Sequence, residues 1–184
     1  MKILIGSVIA IVLLIAAAAL FISSGSYNIS ATTPHWNITH WILEEIRDRS
    51  TAYHSKGIQP PSLNDSKFVG VGFRQYHAMC RLCHGAPGYS PSEIARGLYP
   101  KPPDLGLKNM PQLSDAEIYW VVKNGIKMSG MPAFGPTHNE DELWSVVAFL
   151  RRMPGMQAKD YEALVREADQ HKKEEDHHHG LRKH

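Results

Sequence analysis

Hydrophobic residues are concentrated in a first stretch of the chain that is long enough to cross a membrane. Residues 3–22 carry no charged side chain and a single polar one, Ser7. A helix of about 20 residues rises about 30 Å, which matches the hydrocarbon thickness of a bilayer. The pattern predicts an uncleaved transmembrane anchor over residues 1–23. A cleaved signal peptide is the alternative, but its apolar region is typically about 7–15 residues long and ends in a small-residue cleavage site, whereas this one ends in "LFISSGS".

Positive charge near this segment is confined to its short end. Lys2 and the amino terminus precede the apolar run, and the next arginine or lysine is Arg47. Because positively charged flanks stay in the cytoplasm, everything after residue 23 is expected on the outer face of the membrane. The distribution predicts a single-pass protein whose main domain faces away from the cytoplasm.

The next segment, residues 24–65, is predicted as a polar linker followed by an amphipathic helix. Thr33 is a suitable N-cap residue and Pro34 suits the first turn of a helix. The apolar positions then recur close to helical spacing, which favours a helix that lies on the domain or near the membrane: Trp36, Leu43, Ile46 and Tyr53. Gly57 and the two prolines of "QPPS" end this segment.

The main domain is predicted over residues 66–155 as three helices without a sheet. The first runs from about Ser66 to Met79. Between it and the second helix, residues 85–112 contain six prolines, which predicts an irregular but stiff loop. No segment alternates between apolar and polar residues in the way that a half-buried strand does. The predicted fold class is therefore all-α.

Two capping boxes mark the starts of the other two helices. Ser114 is followed three residues later by Glu117, and Asn139 is followed by Glu142 in the same arrangement. Gly125 is expected to end the second helix, and the proline at position 154 the third.

Residues 156–184 are predicted as a peripheral helix and a disordered tail. The helix is expected from about Lys159 to Lys173, with a narrow apolar face: Tyr161, Leu164, Val165 and Ala168. The end of the chain, "HKKEEDHHHGLRKH", is polar and highly charged, which is typical of disorder.

The charge balance excludes partners that are recognised mainly by electrostatics. The chain has 20 Lys and Arg against 18 Asp and Glu, a net charge of +2 at pH 7. Such a balance gives no strong field toward nucleic acid. Membrane lipid, through the N-terminal helix, is the expected non-protein partner.

Both cysteines lie in the stretch "MCRLCHG", residues 79–85. Cys80 and Cys83 are three positions apart, and His84 follows directly. A thioredoxin-like redox pair would follow a strand, and a structural zinc site would need further ligands, whereas His77 and His138 are isolated. Covalent haem attachment is the third interpretation: two thiols at this spacing reach the vinyl groups, and the adjacent imidazole becomes the proximal iron ligand. The exported location, the absence of any further cysteine and the proline-rich loop favour it.

With "GIKMSGMPAFG" and "DELWSVVAFLRRMP", the "CRLCH" motif resembles the monohaem class I c-type cytochromes, of the membrane-anchored bacterial type. The resemblance covers about residues 66–153. It implies a cytochrome c-like helical domain wrapped around one covalent haem c, with the first and last helices crossing. At that crossing it implies that small and aromatic residues meet: Gly70 or Gly72 and Phe73 against Trp144, Val147 or Phe149.

The second axial ligand decides between electron transfer and binding of small molecules. Met131 lies between Gly130 and Pro132, in a turn where no helical face exists for it to fill. By the resemblance, the methionine of "GMPAF" is the distal ligand, so Met131 is predicted ahead of Met128 and Met110. Ligation by His84 and Met131 raises the reduction potential relative to two histidines and suits electron transfer. The other His84 nitrogen is expected to be oriented by a backbone carbonyl, with Pro87 or Pro91 as candidates.

The predicted function is a single-electron carrier, not itself an enzyme, that is tethered to the outer face of the membrane. Its redox donor and acceptor would be proteins of a respiratory chain, with the haem domain in the periplasm. One alternative is a ligand-binding haem sensor or peroxidase-like protein. Another is the cytochrome subunit of a larger membrane oxidoreductase.

Overall fold

The computed structural model describes residues 1–106 and 113–181, and for Lys67 and residues 171–181 it describes the backbone alone. Over these ranges the chain is helical and has no β-strand, with an isolated antiparallel bridge between Ala86 and Tyr89. The all-α prediction is confirmed; Met110 lies outside the described residues. The helices are α1 (Lys2–Ser23), α2 (Asn37–His54), α3 (Ser66–Gln75), α4 (Arg81–His84), α5 (Glu93–Arg96), α6 (Asp115–Asn124), α7 (Glu140–Arg152) and α8 (Ala158–Leu181), with a π-helical turn (Tyr76–Cys80) between α3 and α4.

The chain divides into two compact units, Met1–Pro34 and His35–His184. The first unit consists of α1 and the start of the linker. Its helix is long and apolar enough to cross a membrane, and none of its residues is buried within the protein. These properties fit an N-terminal membrane anchor.

The core of the second unit is the crossing of α3 and α7. Every residue of α7 from Leu143 to Phe149 is buried. A Cβ atom added to Gly72 would overlap the carbonyl oxygen of Ser145, so only glycine allows this approach. The Phe73 ring lies 5.5 Å from the Phe149 ring. The predicted helix crossing is therefore present with Gly72 at its centre, whereas Gly70 faces open space.

Local sequence signals set the ends of α6 and α7 as predicted. The Glu117 amide donates to Ser114 Oγ at 3.2 Å, and the Glu117 carboxylate accepts the Ser114 amide at 2.7 Å. Asn139 and Glu142 form the same reciprocal pair at 3.0 and 2.9 Å. Each cap contributes about 1 kcal/mol to helix stability. Gly125 ends α6 with a positive φ of 67°.

Helix α2 begins later than predicted. Thr33 closes a turn of the linker, because its amide donates to the Ser30 carbonyl and its hydroxyl accepts the Asn28 side chain. It therefore does not cap the helix with Pro34 in the first turn; α2 starts at Asn37 after an extended Trp36.

The second half of α2 packs on the cytochrome-like core. The His54 ring stacks on the Trp120 ring of α6, with 5.6 Å between centroids and 10° between planes. Thr51 and Ser55 are buried. Helix α2 therefore belongs to the same compact unit as α3–α8.

The proline-rich loop contains a short helix that the sequence analysis missed. Helix α5 begins after Ser92, whose side chain accepts the Ala95 amide at 3.3 Å. The serine and the glutamate that follows it were the available signal.

Helix α8 is not peripheral, contrary to the prediction. Tyr161 is fully buried, and its ring lies 5.3 Å from Phe73 and 5.5 Å from Tyr89. Leu164 and Val165 also pack against the core. The helix continues to Leu181, past Lys173, where the disordered tail was predicted to begin.

Replacing Tyr161 with alanine tests whether α8 is part of the cooperative core. We expect the free energy of unfolding to fall by about 3–5 kcal/mol, because a buried ring is removed from a packed site. Tyr53→Ala is the matched control: that side chain is 67% exposed, and its loss should change stability by at most about 0.5 kcal/mol. Urea unfolding followed by circular dichroism measures both. Equal, small losses would place α8 outside the core.

Candidate functional site

The two thiols and the histidine are carried by one continuous helical segment. The π-helical turn ends at Cys80, and α4 continues from Arg81 to His84. Cys80 is buried, Cys83 is half-buried, and the two are not joined in a disulfide. Residues three and four positions apart face the same side of a helix, so Cys80, Cys83 and His84 share one face.

The protonation of Cys80 disfavours a redox role for this pair. Burial, with a smaller contribution from the nearby Cys83, raises the pKa of the Cys80 thiol to about 12. Thiol–disulfide exchange requires a thiolate, which Cys80 does not supply near neutral pH. The pair also lies inside a helix, whereas a thioredoxin-like pair would follow a strand.

The imidazole of His84 is oriented by a backbone carbonyl. Its Nδ1 lies 2.8 Å from the Pro103 carbonyl oxygen. Because a carbonyl only accepts, Nδ1 carries the proton and Nε2 is left with its lone pair, as a metal ligand requires. Burial lowers the pKa of His84, partly offset by the Pro103 bond and the Asp104 charge, so the neutral ring is favoured.

The acceptor for His84 is Pro103, not the predicted Pro87 or Pro91. Directly after His84 the chain turns at Gly85, which has a positive φ of 69°. The short bridge between Ala86 and Tyr89 then closes a turn. The carbonyl that accepts the His84 proton lies 19 residues further along the chain, and no local sequence pattern predicts this contact.

A buried tyrosine that the sequence analysis did not single out holds the start of this turn. Tyr76 is fully buried, and its hydroxyl donates to the Gly85 carbonyl at 2.6 Å. Burial raises the pKa of Tyr76 strongly, so the hydroxyl stays protonated and can donate. Its only signal in the sequence was an apolar position in the first predicted helix of the main domain, residues 66–79.

The segment with the candidate methionines is fixed against the end of α6. The Ile126 amide donates to the Met131 carbonyl at 3.1 Å, and the Met131 amide donates to Ser129 Oγ at 3.1 Å. A Cβ atom on Gly125 would lie 2.7 Å from backbone atoms of Pro132 and Ala133. Glycine at position 125 therefore allows the Met131 turn to pack closely against the end of α6.

The two methionines of this segment have different environments. Met131 is half-buried. Met128 is 84% exposed and has a left-handed backbone, with φ of 60°. The turn thus directs its two sulfur atoms to different surroundings.

A family model described as "Cytochrome C oxidase, cbb3-type, subunit III" matches residues 69–150. The matched range runs from α3 into α7 and includes both cysteines, His84 and Met131. Residues 69–150 are a monohaem c-type cytochrome domain. Among curated proteins, none matches the chain. Helix α2 and helix α8, which lie outside the matched range, are part of the same compact unit as this cytochrome domain.

The cytochrome domain carries haem c, bound covalently, and its activity is haem-based electron transfer. The donor set around α4 fits this group. It offers two unpaired thiols at the attachment spacing and an imidazole whose second nitrogen is free. Met131, half-buried in the turn after α6, carries a thioether, a soft donor of the kind that suits iron.

Proposed function

We propose that the chain is a membrane-tethered carrier of single electrons, with one haem c attached through Cys80 and Cys83 and ligated axially by His84 and Met131. When bound, the haem supplies an iron atom that changes by one electron between the ferrous and ferric states. The observation that carries the proposal is the fixed Met131 turn, because a permanently available sixth ligand is what separates a carrier from a haem protein that binds small molecules.

On the proximal side, the protein presents a neutral imidazole that is already oriented. The hydrogen bond between His84 and Pro103 holds the ring, and the bond between Tyr76 and Gly85 holds the backbone that follows it. Ligands that are fixed before the electron arrives need little rearrangement when the charge changes, which favours rapid electron transfer.

On the distal side, the structure favours Met131 over Met128. Both backbone groups of Met131 are hydrogen-bonded: its carbonyl accepts the Ile126 amide, and its amide donates to Ser129 Oγ. Met128, in contrast, has most of its side chain in solvent. A ligand that is held by its own turn costs less conformational entropy when it binds iron.

The tether and the partners follow from α1 and from the family description. Lys2 is the basic side chain at the short end of α1, so the positive-inside rule supports the cytochrome domain on the outer face of a bacterial inner membrane. The matched family is named for a cytochrome c oxidase subunit. We therefore propose a terminal oxidase of the respiratory chain as the acceptor, with the chain acting as its cytochrome subunit or as an attached carrier.

The test is the spectrum of the ferric protein after substitution of each methionine. Met131→Ala should abolish the weak long-wavelength absorption from sulfur-to-iron charge transfer and should let the ferrous protein bind carbon monoxide rapidly. Met128→Ala, a change of the same size three residues away, should leave both properties as in the unmodified protein.

The opposite results identify the rival functions. Rapid carbon monoxide or cyanide binding by the unmodified protein would indicate a ligand-binding haem sensor or a peroxidase-like protein. Loss of the absorption in Met128→Ala instead of Met131→Ala would overturn Met131 as the proposed ligand and assign that role to Met128.

A further inference from the structure

The first half of α2 presents large apolar side chains to the outside of the cytochrome unit. We define the α2 apolar face as Ile38, Trp41, Ile42 and Ile46. The most exposed of these, Trp41, is 60% exposed, and the least exposed, Ile42, is 43% exposed. These residues are spaced so that they lie on one side of the helix.

The orientation of α2 is the reverse of that expected for a helix on a soluble domain. Its buried residue, Thr51, is small and polar, and its ring contact with α6 is made by His54. An amphipathic helix on a soluble domain normally turns its apolar stripe inward. A cluster of isoleucine and tryptophan outside therefore indicates a surface that something apolar covers.

The covering surface is indicated by the chain itself. Residues 24–36 connect the membrane-length α1 to the first turn of α2. A linker of this length spans at most about 45 Å when fully extended. With α1 in a bilayer, the apolar end of α2 is therefore always within reach of the same bilayer.

The residue types and charges also fit a lipid surface. Tryptophan is favoured at the boundary between headgroups and acyl chains, and isoleucine can enter the acyl region. The charged residues of α2 pair with one another, Arg49 with Glu45 and Arg47 with Asp48. Helix α2 thus has no basic excess, and anionic lipids are not needed for attraction.

We propose that the α2 apolar face is a second membrane contact, seated in the headgroup region of the bilayer that holds α1. It would restrict the rotation of the cytochrome unit on its tether and so limit which of its surfaces meet redox partners. The inference rests on the anchoring in the proposed function and adds a contact that the family match, which starts at residue 69, does not contain.

The test uses the full chain with its haem, in nanodiscs of phosphatidylcholine and without any partner protein. A nitroxide is attached at Ile42→Cys, and separately at Glu93→Cys on α5, whose side chain is 92% exposed. Because Cys80 and Cys83 are consumed by haem attachment, each variant has one free thiol. Reduction to the diamagnetic ferrous form before spin labelling, and exclusion of excess reductant, keep the iron from broadening the signal.

We expect the ratio of collisions with oxygen to collisions with a nickel chelate to be several-fold higher at Ile42 than at Glu93, because oxygen concentrates in lipid and the chelate stays in water. Equal ratios would overturn the proposal and leave the α2 apolar face to a protein partner. A third label, at Ala17→Cys in α1, reports whether α1 lies in the bilayer. A water-like ratio there would overturn the tether itself, and the second contact with it.

Discussion

Gly72→Ala is expected to destabilise the protein by roughly 3 kcal/mol or more, at the upper end of what overpacking costs. The added methyl group would overlap the carbonyl oxygen of Ser145 and would lie 3.0 Å from the Cβ atom of Phe149. The first of these atoms belongs to the backbone of α7 and cannot turn aside. The two helices must separate, and the core between them opens.

Gly70→Ala is a control in the same helix, two residues away. A Cβ atom on Gly70 meets nothing within 4 Å. Since alanine is the better helix former, this change should stabilise the protein by about 1 kcal/mol. Urea unfolding of both variants, followed by circular dichroism, tests the opposite signs. A loss of stability in both, or in neither, would contradict the close crossing of α3 and α7.

Gly125→Ala is expected to displace the Met131 turn and thereby the proposed sulfur ligand. Gly125 has φ of 67° and ψ of −172°, a backbone region that is essentially confined to glycine, where alanine alone costs about 1–3 kcal/mol. The new methyl group would also approach the Met131 carbonyl oxygen at 2.8 Å and the Ala133 amide nitrogen at 2.7 Å. We expect a stability loss beyond the backbone cost, together with loss of the sulfur-to-iron absorption and carbon monoxide binding by the ferrous protein.

Gly57→Ala is the control that separates the cost of a positive φ from the effect of displacing the Met131 turn. Gly57 also has a positive φ, 84°, but open space surrounds its Cβ position. This variant should lose about 1–2 kcal/mol and keep the spectrum of the unmodified protein. An unchanged spectrum in Gly125→Ala as well would show that the methionine turn tolerates the shift and would weaken the role given to Gly125.

The features that the sequence predicted well depend on residues close to one another in the chain. The capping boxes at Ser114 and Asn139 each involve two residues three positions apart, so their geometry follows from the helix itself. Gly125 ends α6 for a similarly local reason. The spacing of Cys80 and Cys83 predicted the cofactor because the attachment chemistry requires it, whatever the surrounding fold.

The features that it missed depend on contacts between distant residues. Tyr161 is buried against Phe73, far away along the chain, and a narrow apolar face gave no measure of what α8 packs against. The Pro103 carbonyl reaches His84 only after several turns of the loop. The start of α2 was misplaced because Thr33 satisfies its hydrogen bonds within the linker, which competes with a cap.

If His84 is the proximal ligand, as proposed, the neutrality of its Pro103 partner would affect the balance between ferrous and ferric iron. A carboxylate in that place would draw the Nδ1 proton toward itself and make the ring more electron-rich, which stabilises the ferric state. The neighbouring Asp104 carboxylate instead accepts the Gly106 amide at 2.9 Å. With the haem bound as proposed, this ring would donate little negative charge to the iron, which would keep reduction favourable and would not assist the cleavage of a bound peroxide.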